Sequence, residues 1–414
     1  EAPAAWAADC TGAGVRIAII DGGIDPTHPD LAPNMDTACS ASFVPEKGYD
    51  EDEGTFWHGM HVAGLAAAAN RGWGVRGVAP EATLISVKAL HDGEGSFAWI
   101  IGAILYASDP GAFGAGDCVK ADIINMSLGA VFPIGDHGSG FGGAGPLIGP
   151  LSRAVNYAAS KGTLVISAAG NEGLDLGQSR DFVSVPAESG SGLSITATGP
   201  EDVFGLLTGN PGDPRRIASY TNYGEGSTFV AAPGGDFGIT AQVVVNSPAS
   251  IAGSKRASIA VFGPPPARDT ADVALWTDPS DSTGDPNDAC EGGIDASVAG
   301  KFALIHRGSC AFTTKILNAE ASGAVGVIIS TNNAGPPPVM GGAPPFPNIP
   351  AVSILRSDGA AIEGALASGD VNATLNENPS GIFDQVLSTC RSGWWFSAGT
   401  SMASPAAAGV AALI

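Results

Sequence analysis

Positive charge is what this sequence has least of. Lysine and arginine number 19 against 41 aspartates and glutamates in 414 residues, a formal net charge of −22. Nucleic acid and anionic membrane surfaces repel a chain of that sign, so neither is expected as a partner. Charge of either sign is sparse at 14%, well below the usual quarter of residues. A long hydrophobic run is also missing: nothing approaches the ~20 continuous apolar residues of a membrane-spanning helix. The six cysteines contain no CxxC pair, which argues against the common zinc frameworks, and no metal ligand set is read from the sequence. The chain starts at Glu1 with neither initiator methionine nor signal peptide, so a removed leader is expected. It stops at Ile414 inside an apolar helical pattern, so a truncated chain is expected.

What is present points to a folded, exported protein. Hydrophobic residues make up 44%, ample for a full core, and the length allows two or three domains. Glycine (59) and proline (30) are abundant without a collagen-like period, which indicates many tight loops. An even, widely scattered set of cysteines suggests disulfides in an oxidising compartment, hence a secreted, extracellular location.

Strand and helix signals alternate over the first two hundred residues. Strands are expected at 15–20, 82–90, 121–127 and 163–169, and helices at 59–69, 96–106 and 151–160, with Ser96 as an N-cap. Near-continuous apolar strands separated by helices imply a mainly parallel sheet covered on both faces, a three-layer α/β/α arrangement. Ligands of such sheets bind at the carboxyl ends of the strands, where Asp21 and Asn171 both fall. From about residue 240 to 380 the chain turns proline-rich, with short β-like runs at 258–262 and 325–329 and its main helical stretch at 311–322. The expected organisation is therefore 1–239 as the first part of an α/β domain, 240–380 as a β-rich insert, and 381–414 as the second part of the first domain. An insertion at a loop whose ends lie close together is structurally cheap.

Four short motifs carry chemistry. Asp21 ends a strand in Ile20-Asp-Gly-Gly-Ile-Asp25. His58 opens a glycine-rich helix in His58-Gly-Met-His-Val-Ala-Gly64. Ser401 lies at the start of another small-residue helix in Gly399-Thr-Ser-Met-Ala-Ser-Pro405. Asn171 follows a strand in Ala168-Ala-Gly-Asn-Glu-Gly173. A serine hydroxyl needs an adjacent base at neutral pH. Histidine is the base whose ordinary pKa lies near 6.5, and a buried carboxylate fixes its tautomer. A helix N-terminus and a neutral side-chain amide suit an oxyanion.

On these motifs the chain resembles the subtilases, the subtilisin-like serine proteases. The order Asp, His, Ser agrees with that family. So do Asn125-Met-Ser-Leu-Gly129, Ala218-Ser-Tyr-Thr-Asn-Tyr-Gly224 and Val230-Ala-Ala-Pro-Gly234. The resemblance implies a secreted endopeptidase with Asp21, His58 and Ser401 as catalytic residues. It implies Asn171 and the Ser401 N–H as the oxyanion hole, and Ser127, Leu128 and Gly129 as the substrate-pairing strand. It also implies protein or peptide substrates and an N-terminal propeptide in the precursor. A monomer is expected. The alternative is an inactive homologue that binds peptides without turnover. His61 is expected to be structural, and His28, His91, His137 and His306 to be loop or surface residues. The long, nearly uncharged loop at 130–150, with apolar Leu128, argues for an apolar or aromatic P1 side chain.

The insert resembles a protease-associated domain through Gly300-Lys-Phe-Ala-Leu-Ile-His-Arg-Gly-Ser-Cys-Ala-Phe312, Lys315 and residues 318–326. That resemblance implies a Cys290–Cys310 disulfide and a non-catalytic domain that shapes access or binds substrate, with a passive spacer as the alternative. Among the remaining Cys10, Cys39, Cys118 and Cys390, a Cys10–Cys39 bridge around the first strand is one of three connectivities.

Some positions depart from the family's pattern. Gly22 stands where a hydroxyl residue usually follows the aspartate, so Asp21 must rely on backbone N–H groups and His58. Met60 replaces a threonine and Ala406 a histidine, neither of them in the triad. Arg71 stands where a calcium ligand is expected near Asp30 and the loop 70–75. A guanidinium offers no oxygen, so Arg71 is expected to pair with Asp30 in place of the ion. No cofactor is required on this reading; calcium elsewhere remains an expectation of so acidic a chain.

Overall fold

The apolar runs become strands because each is buried on both faces. In Arg16–Asp21, Ile17 and Ile19 enter one core while Ala18 and Ile20 enter another. The computed structural model describes residues 2–54, 56–133, 145–177, 182–199, 217–218, 220–224, 229–236, 241–260, 262–280, 282–332, 337–338, 340–377 and 384–414. The described residues of Glu1–Pro200, Asp213–Asp236 and Gln385–Ile414 form one compact unit, and those of Phe237–Asp384 the other.

In the first unit seven parallel strands form one sheet. Their order is Phe229–Pro233, Leu193–Thr198, Leu164–Ala168, Ile123–Met126, Arg16–Asp21, Thr83–Lys88 and Ala41–Ser42. The helices His58–Ala67 and Thr400–Ala412 cover one face through Met60, Ala63, Ala403 and Ala408. Phe97–Ser108 and Gly145–Ser160 cover the other through Ala103, Ile104, Ala154 and Ala158. This is the three-layer α/β/α arrangement. Ser96 caps its helix, its side chain accepting from the Trp99 N–H at 3.2 Å.

The loop expected over 130–150 is in part regular structure. Ala130–Pro133 is a strand, antiparallel to Phe182–Val185, and the following helix begins at Gly145 rather than near 151. The strand's partner lies some fifty residues on, and Pro150 sits inside the helix, so no local signal announces either.

The second unit is a closed barrel of seven strands. In order these are Ala241–Ser247, Gly253–Ile259, Ala351–Ile354, Gly326–Ser330, Phe302–His306, Ala267–Leu275 and Val371–Glu377. Besides Phe312–Ala321, Arg356–Leu366 is a helix, which the sequence reading did not pick out. It buries only Gly359 and Ile362, too little apolar surface to give a visible period.

Cys290 pairs with Cys310. The Cys10–Cys39 bridge is corrected: Cys39 pairs with Cys118, while exposed Cys10 and buried Cys390 are free thiols. Cys39 lies under the helix Phe97–Ser108, where Tyr106 donates to its carbonyl at 3.0 Å, and Cys118 follows just after that helix. Cys10 lies in the chain ahead of the first strand, its N–H bonded to the Ala5 carbonyl at 3.0 Å.

Candidate active site

Asp21 is the last residue of a central strand, so its carboxylate emerges at the carboxyl edge of the sheet, yet it is almost wholly buried. It accepts the Gly22 N–H at 2.7 Å, and His58 Nδ1 lies 2.9 and 3.0 Å from its two oxygens. His58 is the first residue of its helix, and close packing brings that helix to the strand end. A Cβ on Gly59 would lie 2.6 Å from the Gly23 carbonyl oxygen and 3.2 Å from Asp21 Cβ. Burial alone would push the His58 imidazole down. The charge and hydrogen bond of Asp21, with Asp52 behind it, instead hold its pKa above the ordinary value.

Ser401 is the second residue of the helix Thr400–Ala412, where backbone N–H groups lack intrahelical partners. Its hydroxyl donates to the Ser127 carbonyl at 3.1 Å rather than to His58. The Ser127 hydroxyl donates to the Ser401 carbonyl at 2.8 Å, and Ser404 donates to Asn125 at 2.6 Å, tying this helix to the strand Ile123–Met126. Asn171 follows the strand Leu164–Ala168. Its Oδ1 accepts from the Thr400 N–H and hydroxyl, both at 2.9 Å, which leaves its NH2 group as the donor available to the cavity. Thr400 is thus the residue that orients Asn171, and the motif Gly399-Thr-Ser could have signalled it.

Asp21, His58, Ser401, Asn171, Ser127, Leu128 and Gly129 all line one cavity of about 450 Å³. Apolar side chains of Leu90, Phe97, Ile100, Phe132 and Leu151 complete its wall, and Asp52 and Glu172 bring charge to it. Sequence reasoning missed Asp52, because an aspartate in a loop carries no motif.

His61 is wholly buried and not part of this cluster. Burial pushes its pKa to about 4, so it is neutral, and its Nε2 contacts the Trp395 carbonyl at 2.9 Å. His28 lies in a loop, as expected, but not on the surface. It is buried, with Nε2 at 3.0 Å from the Gly393 carbonyl and Nδ1 accepting the Asp30 N–H at 3.2 Å. Trp394, in the strand Gly393–Ser397, stands edge-on to its ring with centroids 6.4 Å apart. His306 ends a barrel strand between Asp285 and Glu363, and His91 stands by Asp52 and Glu53. His137 lies outside the described residues.

Arg71 reaches Asp30 at 3.8 Å and stacks on Trp73 at 4.4 Å. The buried Asp30 carboxylate also accepts the Val75 N–H at 3.0 Å and the Trp394 indole N–H at 2.8 Å. In the barrel unit the carboxylates of Asp278, Asp288 and Glu291 lie together, and the buried Lys315 ammonium reaches the same cluster, 3.8 Å from Asp288.

The subtilase family model matches residues 12–268, more than half of the sequence. The chain belongs to the subtilase family. Its residues 270–362 match the PA domain, so it is a subtilase with a protease-associated domain in the chain. Subtilisin E of Bacillus subtilis (strain 168) is 38% identical over 198 residues, covering 48% of this chain and 44% of that protein. A thermophilic serine proteinase of Bacillus sp. (strain AK1) is 34% identical over 267 residues, covering 63% of this chain and 53% of that one. The chain spans about half the length of these curated relatives. Among solved structures, the nisin leader peptidase NisP from Lactococcus lactis superposes with a TM-score of 0.52 at 16% identity. That match covers 99% of this chain and 80% of the other, a likeness of fold.

Proposed function

We propose that this chain is a secreted serine endopeptidase that hydrolyses peptide bonds through an acyl-enzyme. Ser401 Oγ attacks the carbonyl carbon while His58 takes the hydroxyl proton. The C–N bond then breaks, and His58 hands the proton to the leaving amine. Water, deprotonated by His58, cleaves the resulting ester and frees Ser401. Asp21 fixes the ring and offsets the imidazolium charge. The Asn171 NH2 and the Ser401 N–H hold the oxyanion. The observation that carries this reading is the buried Asp21 carboxylate holding His58 Nδ1 on the cavity that Ser401 and Asn171 also line. The apolar wall beside Leu128 supports an apolar P1 side chain, with Ser127, Leu128 and Gly129 pairing with the substrate backbone. The two disulfides support an oxidising, extracellular location.

A fluorophosphonate tests the nucleophile directly. Mass spectrometry should find one adduct, on Ser401, in the parent and none in His58→Ala. An unlabelled parent would sink the reading. The Ser401 hydroxyl bonded to Ser127 favours a second reading, a peptide-binding homologue without turnover. Peptide binding without labelling would select it.

A further inference from the structure

Beside the Asp21–His58 pair lies a buried charge pair that the reaction just described does not use. Lys88 ends the strand adjacent to Asp21 and is its partner in register, and its side chain is fully buried. Its ammonium donates to the carbonyl oxygens of Gly22 and Leu90, the latter at 2.7 Å, and faces Asp52 at 3.9 Å. Taking an ammonium out of water is costly without such partners. Burial pulls the Lys88 pKa down, against the charges of Asp52 and Asp21. Asp52 Oδ1 accepts the N–H groups of Glu53 at 3.0 Å and Asp92 at 3.1 Å. Its Oδ2 lies over Gly22, where an added Cβ would overlap it. The other charged or titratable groups facing this pair are Lys47, Glu51, Glu53 and His91.

The absent side chain at Gly22 thus has a physical reason, because the Asp52 carboxylate fills the space above that residue. Gly22 is held at both ends. Its N–H binds the Asp21 carboxylate and its carbonyl binds Lys88. Asp52 also lines the cavity with His58 and Ser401.

We propose that Lys88 and Asp52 are positioning residues for His58, an inference that rests on the protease reading. Lys88 fixes Gly22 and through it the Asp21 carboxylate. Asp52 fixes Lys88 and adds a second negative charge that favours the imidazolium formed during proton transfer. A purely structural ion pair would set stability alone. A positioning pair sets kcat and the pH at which His58 titrates.

The test compares the parent with Asp52→Asn, which keeps the shape and the amide acceptor but removes the charge. The kcat should fall roughly tenfold with KM within about twofold, and the acid limb of the pH profile should move to lower pH. In the Ser401→Ala background, where no turnover is needed, NMR titration of the His58 ring should show the same downward movement on Asp52→Asn. Gly22→Ala should lower kcat by displacing the Asp52 carboxylate, yet cost nothing further in an Asp52→Gly background. An unchanged His58 titration in Asp52→Asn overturns the inference, as does a kcat loss without any pH shift. A parent that cleaves nothing would count against the protease reading, while the NMR titration still decides whether Asp52 acts on His58.

Discussion

Two histidines one helical turn apart are driven in opposite directions by their surroundings. His58 keeps a carboxylate and gains proton affinity, whereas for His61 burial outweighs its backbone carbonyl contacts and it loses proton affinity. Their effects on stability have opposite signs. His58, with its raised pKa, adds stability that is present below its unfolded pKa and lost as pH rises through the folded value. His61 binds its proton less tightly folded than unfolded, so stability falls as pH drops from 6.5 towards about 4. That loss amounts to about 3 kcal/mol at the low end. Urea midpoints measured from pH 7 to 4 should show it, and His61→Gln should flatten the fall; an equal slope in both proteins would refute the assignment. At the oxyanion side, Thr400→Val keeps the backbone bond to Asn171 and loses the hydroxyl one. Its kcat should fall roughly tenfold, less than the ~10²–10³ known for loss of such an asparagine in a subtilisin, a member of this same family. Steady-state kinetics on Thr400→Val and Asn171→Ala decide the order. Asp21, His58, Asn171 and Ser401 were legible because each lies at or close to the end of an element inside a short motif. Thr400, Asp52 and Lys88 were not, since their roles come from partners distant in sequence.

The elements carry the site by close approach. Gly59 lets the His58 helix touch the strand end at Asp21, and Gly64 lets it pack against Ser388 and Thr389. Gly59→Ala should push the helix off the strand, lengthen the His58–Asp21 contact and cost ~1–3 kcal/mol of stability. Thermal unfolding together with kcat would measure both, and full activity with an unchanged Tm would refute the packing argument. The central strands were readable because burial on both faces makes them uninterrupted apolar runs. The strand Ala130–Pro133 and the helix Arg356–Leu366 were not. The first exists only through pairing with Phe182–Val185, and the second buries two residues.

On the scale of the whole chain, two units with separate cores lie in one sequence, the barrel unit's described residues falling between Asp236 and Gln385 of the sheet unit. The change to proline-rich sequence near residue 240 marks that transition, because the strands Ala241–Ser247, Gly253–Ile259 and Ala267–Leu275 follow one another through short connections, which need turn residues. The Cys39–Cys118 pairing was beyond the sequence, since the two meet only once the helix Phe97–Ser108 has docked. The net charge of −22 argues against anionic surfaces as partners but names no substrate. Whether the assembled site turns over is best tested by casein hydrolysis with the parent and Ser401→Ala, side by side from pH 5 to 9. The parent alone should cleave, with activity rising through a pH above the ordinary imidazole range because Asp21 holds the His58 proton. Cleavage by both proteins, or by neither, would contradict Ser401 as the working nucleophile of this chain.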